Sequence, residues 1–169
     1  MGKASKHQCA ENCEVGVQIM PHIVFICTGN ICRSPMAEGF LLHKCKEMGR
    51  HDLTVSSMGI HGLNDYPATE HAQKVCENDG FNISSHKARY LVADELQKAD
   101  LILCMEPVHK KFIQTFFPWL HKKVFLLGAW PEKPTRKSAI KDPMGGSYEK
   151  YQEVFSLIKA HIERIIPLL

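Results

Sequence analysis

Short runs of consecutive apolar residues alternate along this chain with longer stretches in which apolar residues return every three or four positions. Pro21-His22-Ile23-Val24-Phe25-Ile26 is strand-like, and the period then becomes helical, with Ala37, Phe40, Leu41, Cys45 and Met48 along one face. Ser34 suits an N-cap and Pro35 the first helical position, and Gly49 suits the end of this helix. A second strand is expected over 53–57 and a Gly-containing loop over 58–69. A helix over 70–79 closed by Gly80, and a short helix over 92–98, lead to the apolar strand Leu101-Ile102-Leu103-Cys104. Val108, Phe112, Ile113 and Phe116 have helical spacing before Pro118, and 124–127 reads as a fourth strand. Ser147 then caps a long helix with Tyr151, Val154, Phe155, Ile158, Ile162 and Ile165 inward. Strand and helix in strict alternation imply an α/β fold, a four-stranded parallel sheet with helices on both faces. Ligand chemistry in such sheets sits at the carboxyl ends of the strands, where Cys27 falls.

Composition narrows the picture. At 169 residues the chain suits one domain, assigned to 22–169. Residues 1–21 are polar and lack clear periodicity until Val15-Gly16-Val17, so they read as a flexible extension. His7, Cys9 and Cys13 supply only three ligands in that tail, and a solvated tail is preferred to a metal site. Met1-Gly2 is followed by Lys6, where a myristoylation motif wants Ser or Thr. A net charge of +3, with Lys and Arg scattered, argues against a nucleic-acid partner. The longest apolar runs are strand-length, so no membrane insertion is expected. The seven cysteines are odd in number and irregularly spaced, with no signal-peptide pattern, which points to reduced thiols in a cytoplasm.

The connection from the first strand to the first helix carries the chemistry. Cys27-Thr28-Gly29-Asn30-Ile31-Cys32-Arg33-Ser34 places a thiol at the strand's end and a guanidinium six positions on. Loop amides beside a helix N-terminus converge on an anion. A thiol held there should have its pKa drawn from about 8.5 into the range of roughly 3.5–7.5. Arg33 offers a planar fork for two non-bridging phosphate oxygens. Gly29 lets backbone approach closely, and Asn30 tolerates a left-handed conformation. The layout is a phosphate cradle with a nucleophile in its floor; the plainer reading is a buried structural cysteine at a strand end. Displacement at phosphorus also needs a proton donor, and Asp142 before Pro143, on the loop ahead of the last helix, can reach the cradle. The alternative for Asp142-Pro143 is a simple turn.

These residues resemble the low-molecular-weight protein tyrosine phosphatases. CTGNICRSPMAE is similar to that family's signature loop, Val55-Ser56-Ser57-Met58-Gly59 to its Ser-Ala-Gly strand end, and Ser85-His86-Lys87-Ala88-Arg89 to its Ser-x-x-Ala-Arg segment. The stretch from Asp100 to Glu106 resembles its Asp-hydrophobic-Met-acid strand, and Asp142-Pro143 its general-acid loop. The stretch from Lys123 to Trp130 is nearest the bacterial branch that opposes tyrosine kinases of capsule and exopolysaccharide export. The resemblance implies hydrolysis of phosphotyrosine through a phosphocysteine on Cys27, with Arg33 holding phosphate, Asp142 as acid and then base, and no cofactor or metal. It implies phosphate binding and loop support by Thr28, Gly29, Asn30, Ile31, Cys32, Ser34, Ser57 and His86. For His86 an exposed loop histidine is the plainer alternative. Cys32 is read either as a redox partner of Cys27 or as packing beneath the cradle.

The pocket rim departs from the family. Asp142-Pro143 is followed by Met144 in place of the usual Tyr, so Leu63 and Tyr66 of the facing loop are the expected apolar wall beside Met144. Tyr148 and Tyr151 resemble tyrosines carried near this loop by some relatives, and Tyr151 also fits a core position. Two rivals share the cradle. An arsenate reductase would use Cys104 and a resolving cysteine about seven residues on, where Lys110 and Lys111 stand. A non-catalytic phosphotyrosine-binding module would have no use for an acid aimed at a leaving group.

Overall fold

The structure, a computed structural model, describes residues 21–169. The expected flexible extension and the His7, Cys9 and Cys13 set lie outside the described residues, apart from Pro21. Four parallel strands, β1 (His22–Cys27), β2 (Thr54–Gly59), β3 (Leu101–Cys104) and β4 (Val124–Leu126), form one sheet in the order β2-β1-β3-β4. The helices are α1 (Arg33–Glu47), α2 (Glu70–Asn78), α3 (Ala93–Lys98), α4 (Pro107–Phe116) and α5 (Tyr148–Ile165). None among the described residues is long and apolar enough to cross a membrane.

Side chains alternate across a strand, and here both faces are covered, so β1 reads as continuous apolar sequence. Ile23, Phe25 and Cys27 point into a core shared with α1, α2 and α5. Val24 and Ile26 point into a second core with Leu96 of α3 and Ile113 of α4. Each large aliphatic or aromatic side chain buried here contributes about 1.5–3 kcal/mol. All six predicted inward positions of α5 are buried. The chain leaves β1 toward β2 on one side and returns to β3 on the other, so the strand order reverses beside β1. The crevice at that switch lies at the carboxyl end of β1, where Cys27 sits.

Four local expectations change. Helix α1 starts at Arg33, with Cys32 at its N-cap and no side-chain cap bond. Ser34 is drawn inward instead, to the Cys27 thiol, and Pro35 falls within the first turn, where its missing N–H costs nothing. Met48 is exposed because Gly49, at φ 65°, turns the chain away; Met36 fills the core. Strand β2 continues to Gly59, paired with Cys27. In α4 the buried face is His109 and Ile113, which leaves Val108 and Phe116 exposed.

Candidate active site

Cys27, the last residue of β1, is buried with its Sγ 2.9 Å from Ser34 Oγ and 3.3 Å from the Asn30 amide nitrogen, which donates to it. That amide faces the sulfur because Asn30 adopts φ 58°, a conformation Asn tolerates better than most residues. The Asn30 side chain locks the turn. Its Nδ2 donates to Ser34 Oγ at 2.9 Å and to Ser57 Oγ at 2.8 Å, and its Oδ1 accepts from the Arg89 amide at 2.9 Å. His86 Nε2 donates to the Asn30 carbonyl at 2.8 Å, so His86 braces the loop.

Proton directions follow from these partners. Ser57 donates its hydroxyl to Glu38 Oε2 at 2.5 Å, leaving its lone pairs for Asn30. Ser34 Oγ accepts from Asn30, and toward a Cys27 thiolate, which has no proton to give, the Ser34 hydroxyl is the donor. Burial pushes the Glu38 carboxyl up from its ordinary value, partly offset by the Ser57 bond and by His86. A Cβ on Gly29 would make only ordinary contact within the protein, whereas one on Gly59 would stand 2.5 Å from the Thr28 carbonyl oxygen. The glycine that the packing of this loop requires is thus Gly59, in the neighbouring strand.

Arg33 is 1 % exposed. Its Nη1 donates to Glu106 Oε2 at 2.5 Å and to the Ile140 carbonyl at 2.9 Å, and its Nη2 donates to Asp142 Oδ2 at 2.5 Å and reaches Thr28 Oγ1 at 3.4 Å. Its Nε is buried and has no partner among the described residues. A guanidinium taken out of water needs such carboxylates. Asp142 Oδ1 accepts from the Met144 amide at 3.1 Å, which steadies the acid loop.

A cavity of about 290 Å³ opens over these groups. Cys27, Thr28, Gly29, Cys32 and Arg33 line its floor, Asp142 one side, and Ile31, Leu63 and Met144 its apolar walls, joined by His61. The expected acid, thiol and guanidinium therefore meet at one place, with Asn30, Ser34, Ser57 and His86 behind them. Tyr66 does not line the cavity. A turn through Asp65, at φ 67°, carries it outward, leaving it 62 % exposed.

Cys32 lines the cavity while its sulfur lies 3.3 Å from Tyr151 Oη and 3.5 Å from Thr69 Oγ1, and burial pushes its thiol pKa up. Tyr151 is a core residue whose ionisation is pushed up to about 12, chiefly by burial. Cys104 is 0 % exposed in the core on the other face of the sheet, where desolvation holds it as a thiol, so it is not placed to serve an arsenate reductase.

Four residues at the site carry no role in the sequence reading: Glu38, His61, Glu106 and His109. Glu106 and His109 had a legible signal, an acidic residue leaving a strand's carboxyl end, then Pro107, then a histidine at the third helical position. His109 Nδ1 accepts from the Glu106 amide at 3.1 Å, and Glu106 Oε2 holds Arg33. Burial, then Arg33, lowers the His109 pKa to about 4.

A family profile described as low molecular weight phosphotyrosine protein phosphatase matches residues 22–168. The chain is similar to the low molecular weight protein-tyrosine-phosphatase Ptp of Acinetobacter johnsonii, 42% identical over 112 residues, 66% of this chain and 75% of that protein. A low molecular weight protein tyrosine phosphatase from T. tengcongensis superposes with a TM-score of 0.82 at 32% identity, over 88% of this chain and 99% of that one. The YwlE arginine phosphatase from Geobacillus stearothermophilus superposes at 0.76 with 30% identity, over 86% and 90%. With its thiol, guanidinium and carboxylic acid set around one cavity and its matched span running from β1 past α5, the chain belongs to the low molecular weight phosphotyrosine protein phosphatase family.

Proposed function

We propose that this chain hydrolyses phosphotyrosine in proteins by a two-step phosphoryl transfer on Cys27. The observation that carries the reading is the Arg33 guanidinium, buried between Glu106 and Asp142 and lining one cavity with the Cys27 thiol and Asp142. In the first step the Cys27 thiolate attacks phosphorus in line. The S–P bond forms, the P–O bond to the ring breaks, and the departing phenolate takes the proton of Asp142. In the second step water attacks phosphorus, Asp142 takes the water's proton, the S–P bond breaks and Cys27 leaves as thiolate, eased by the Ser34 hydroxyl aimed at it. Arg33 and the loop amides hold the non-bridging oxygens as charge shifts.

The apolar walls Ile31, Leu63 and Met144 suit an aryl ring. Ile31, Leu63 and Met144 offer no side-chain hydrogen-bond partner to the N–H edge of a phosphorylated guanidine, for which Asp142 is the carboxylate acceptor of the lining. The unit that acts is residues 22–169. The partner inferred from the resemblance is a tyrosine-phosphorylated kinase of capsule or exopolysaccharide export. Five free cysteines among the described residues accord with a cytoplasmic, reducing setting.

The test uses p-nitrophenyl phosphate, a phosphotyrosine peptide, phosphoarginine and, with a thiol reductant, arsenate, each in EDTA, with the wild type and Cys27→Ser, and vanadate binding is measured separately without EDTA. Turnover of both aryl esters by the wild type, lost in Cys27→Ser while vanadate still binds, is the expected result. Preferential turnover of phosphoarginine, arsenate reduction, or vanadate binding without any turnover would each replace this reading.

A further inference from the structure

His109 is 0 % exposed, and its proton can be placed from its partners alone. The Glu106 amide donates to Nδ1 at 3.1 Å, so Nδ1 carries no hydrogen and Nε2 does. Nε2 lies 3.0 Å from Thr28 Oγ1 and therefore donates to it. Arg33 Nη2 approaches the same hydroxyl oxygen from another side at 3.4 Å. Two donors thus occupy the two lone pairs of Thr28 Oγ1, and its single proton has no acceptor among the described residues. Thr28 lines the cavity beside Cys27, Arg33 and Asp142.

We propose that Thr28 supplies a side-chain hydroxyl donor to a non-bridging oxygen of the phosphoryl group, with its proton turned into the cavity by His109. The inference rests on the phosphoryl-binding reading of this cavity and adds a contact that backbone amides cannot make. A β-branched threonine is stiff at χ1, so the oxygen stays where His109 and Arg33 can reach it, and the hydroxyl rotor is then the only freedom left. His109 is a positioning residue. Kept neutral by burial, it brings no second cation next to Arg33, and its Nδ1 remains an acceptor. Protonation there would set an N–H against the Glu106 amide and disturb the residue that holds Arg33.

The experiment compares Thr28→Val, Thr28→Ser, His109→Gln and the double variant Thr28→Val/His109→Gln in the full chain. It reads kcat and KM for p-nitrophenyl phosphate and the inhibition constant for inorganic phosphate. Valine keeps the shape and removes the donor, so kcat/KM should fall roughly 10–100-fold, the range for one hydrogen bond to a charged group, and phosphate inhibition should weaken. Serine should recover most of that loss. His109→Gln should weaken phosphate inhibition alone but add nothing in the Thr28→Val background, because it acts through the hydroxyl. A Thr28→Val enzyme with wild-type kcat/KM and phosphate inhibition overturns the proposal, as does a serine variant as poor as valine, which would assign the effect to the methyl group. Full multiplication of the two single effects would remove His109 from the positioning role. If His109→Gln does not fold, the valine and serine pair still decides whether the hydroxyl acts. A wild type that neither binds phosphate nor turns over an aryl ester defeats the phosphatase reading itself, a result distinct from all of these.

Discussion

Replacing Asn30 tests whether the loop is held by its side-chain network or by the backbone alone. The Asn30 side chain makes three hydrogen bonds in a fully buried setting, to Ser34, Ser57 and the Arg89 amide, all between 2.8 and 2.9 Å. At about 1 kcal/mol each, Asn30→Ala loses about 3 kcal/mol. Alanine at φ 58° costs about 1 kcal/mol more, for a total near 4 kcal/mol. Asn30→Asp separates the parts. It tolerates the same backbone and keeps the acceptor for Arg89, but it cannot donate, so Ser34 is free to turn its proton from the Cys27 sulfur to the new carboxylate. Its loss of stability should at least match that of alanine, because the new carboxylate is fully buried without a cation partner, and kcat should fall about 10²-fold, as for a misplaced reacting group. Urea unfolding gives the stabilities and p-nitrophenyl phosphate the turnover. Alanine and aspartate variants both within about 1 kcal/mol of wild type, with unchanged kcat, would refute the network as the element that holds the nucleophile.

Asp142→Ala should lower kcat by roughly 10²–10⁴-fold, most for alkyl and phenyl phosphates whose leaving oxygens most need a proton; an equal loss for good and poor leaving groups would make Asp142 structural. Met144, exposed at the cavity rim, cannot stack as tyrosine does, so Met144→Tyr should lower KM for phosphotyrosine peptides more than for small alkyl phosphates. Peroxide should inactivate the enzyme reversibly through a Cys27–Cys32 disulfide, because both thiols line one cavity, and Cys32→Ser should make recovery in dithiothreitol incomplete; mass spectrometry finding no such bond would return Cys32 to packing. His109 titrates near 4 in the fold against 6.5 when unfolded, so as pH falls the unfolded chain takes the proton first. Its contribution is complete above 6.5 and is lost toward 4, up to about 3 kcal/mol, so the loss of unfolding free energy between pH 7 and about 4.5 should shrink in His109→Gln.

The elements that the sequence determined are those with their own local cause. The apolar run of β1, the period-3.6 face of α5 and the breaks at Gly49 and Gly80 are set by which side chains must leave water and which backbone angles glycine permits. The cradle from Cys27 to Ser34 was legible for the same reason: a strand end, a left-handed Asn and a helix start are neighbours in the chain. Ser34 shows where that locality ends. Its place one residue into α1 fits a cap, but a buried sulfur and the Asn30 amide compete for its hydroxyl and win. Tyr66 and Leu63 were equivalent as apolar residues of one loop, and only the turn at Asp65 sends one out to solvent and the other to the cavity. Glu106 and His109 became site residues only when β3 was laid beside β1, because a carboxylate and an imidazole 73 and 81 positions from their partners Arg33 and Thr28 are brought there by strand order, which no local pattern encodes. The sequence determined the chemistry that the loop can perform; the tertiary structure decided which distant groups hold the guanidinium, turn the hydroxyls and wall the pocket, since those contacts depend on packing across the sheet.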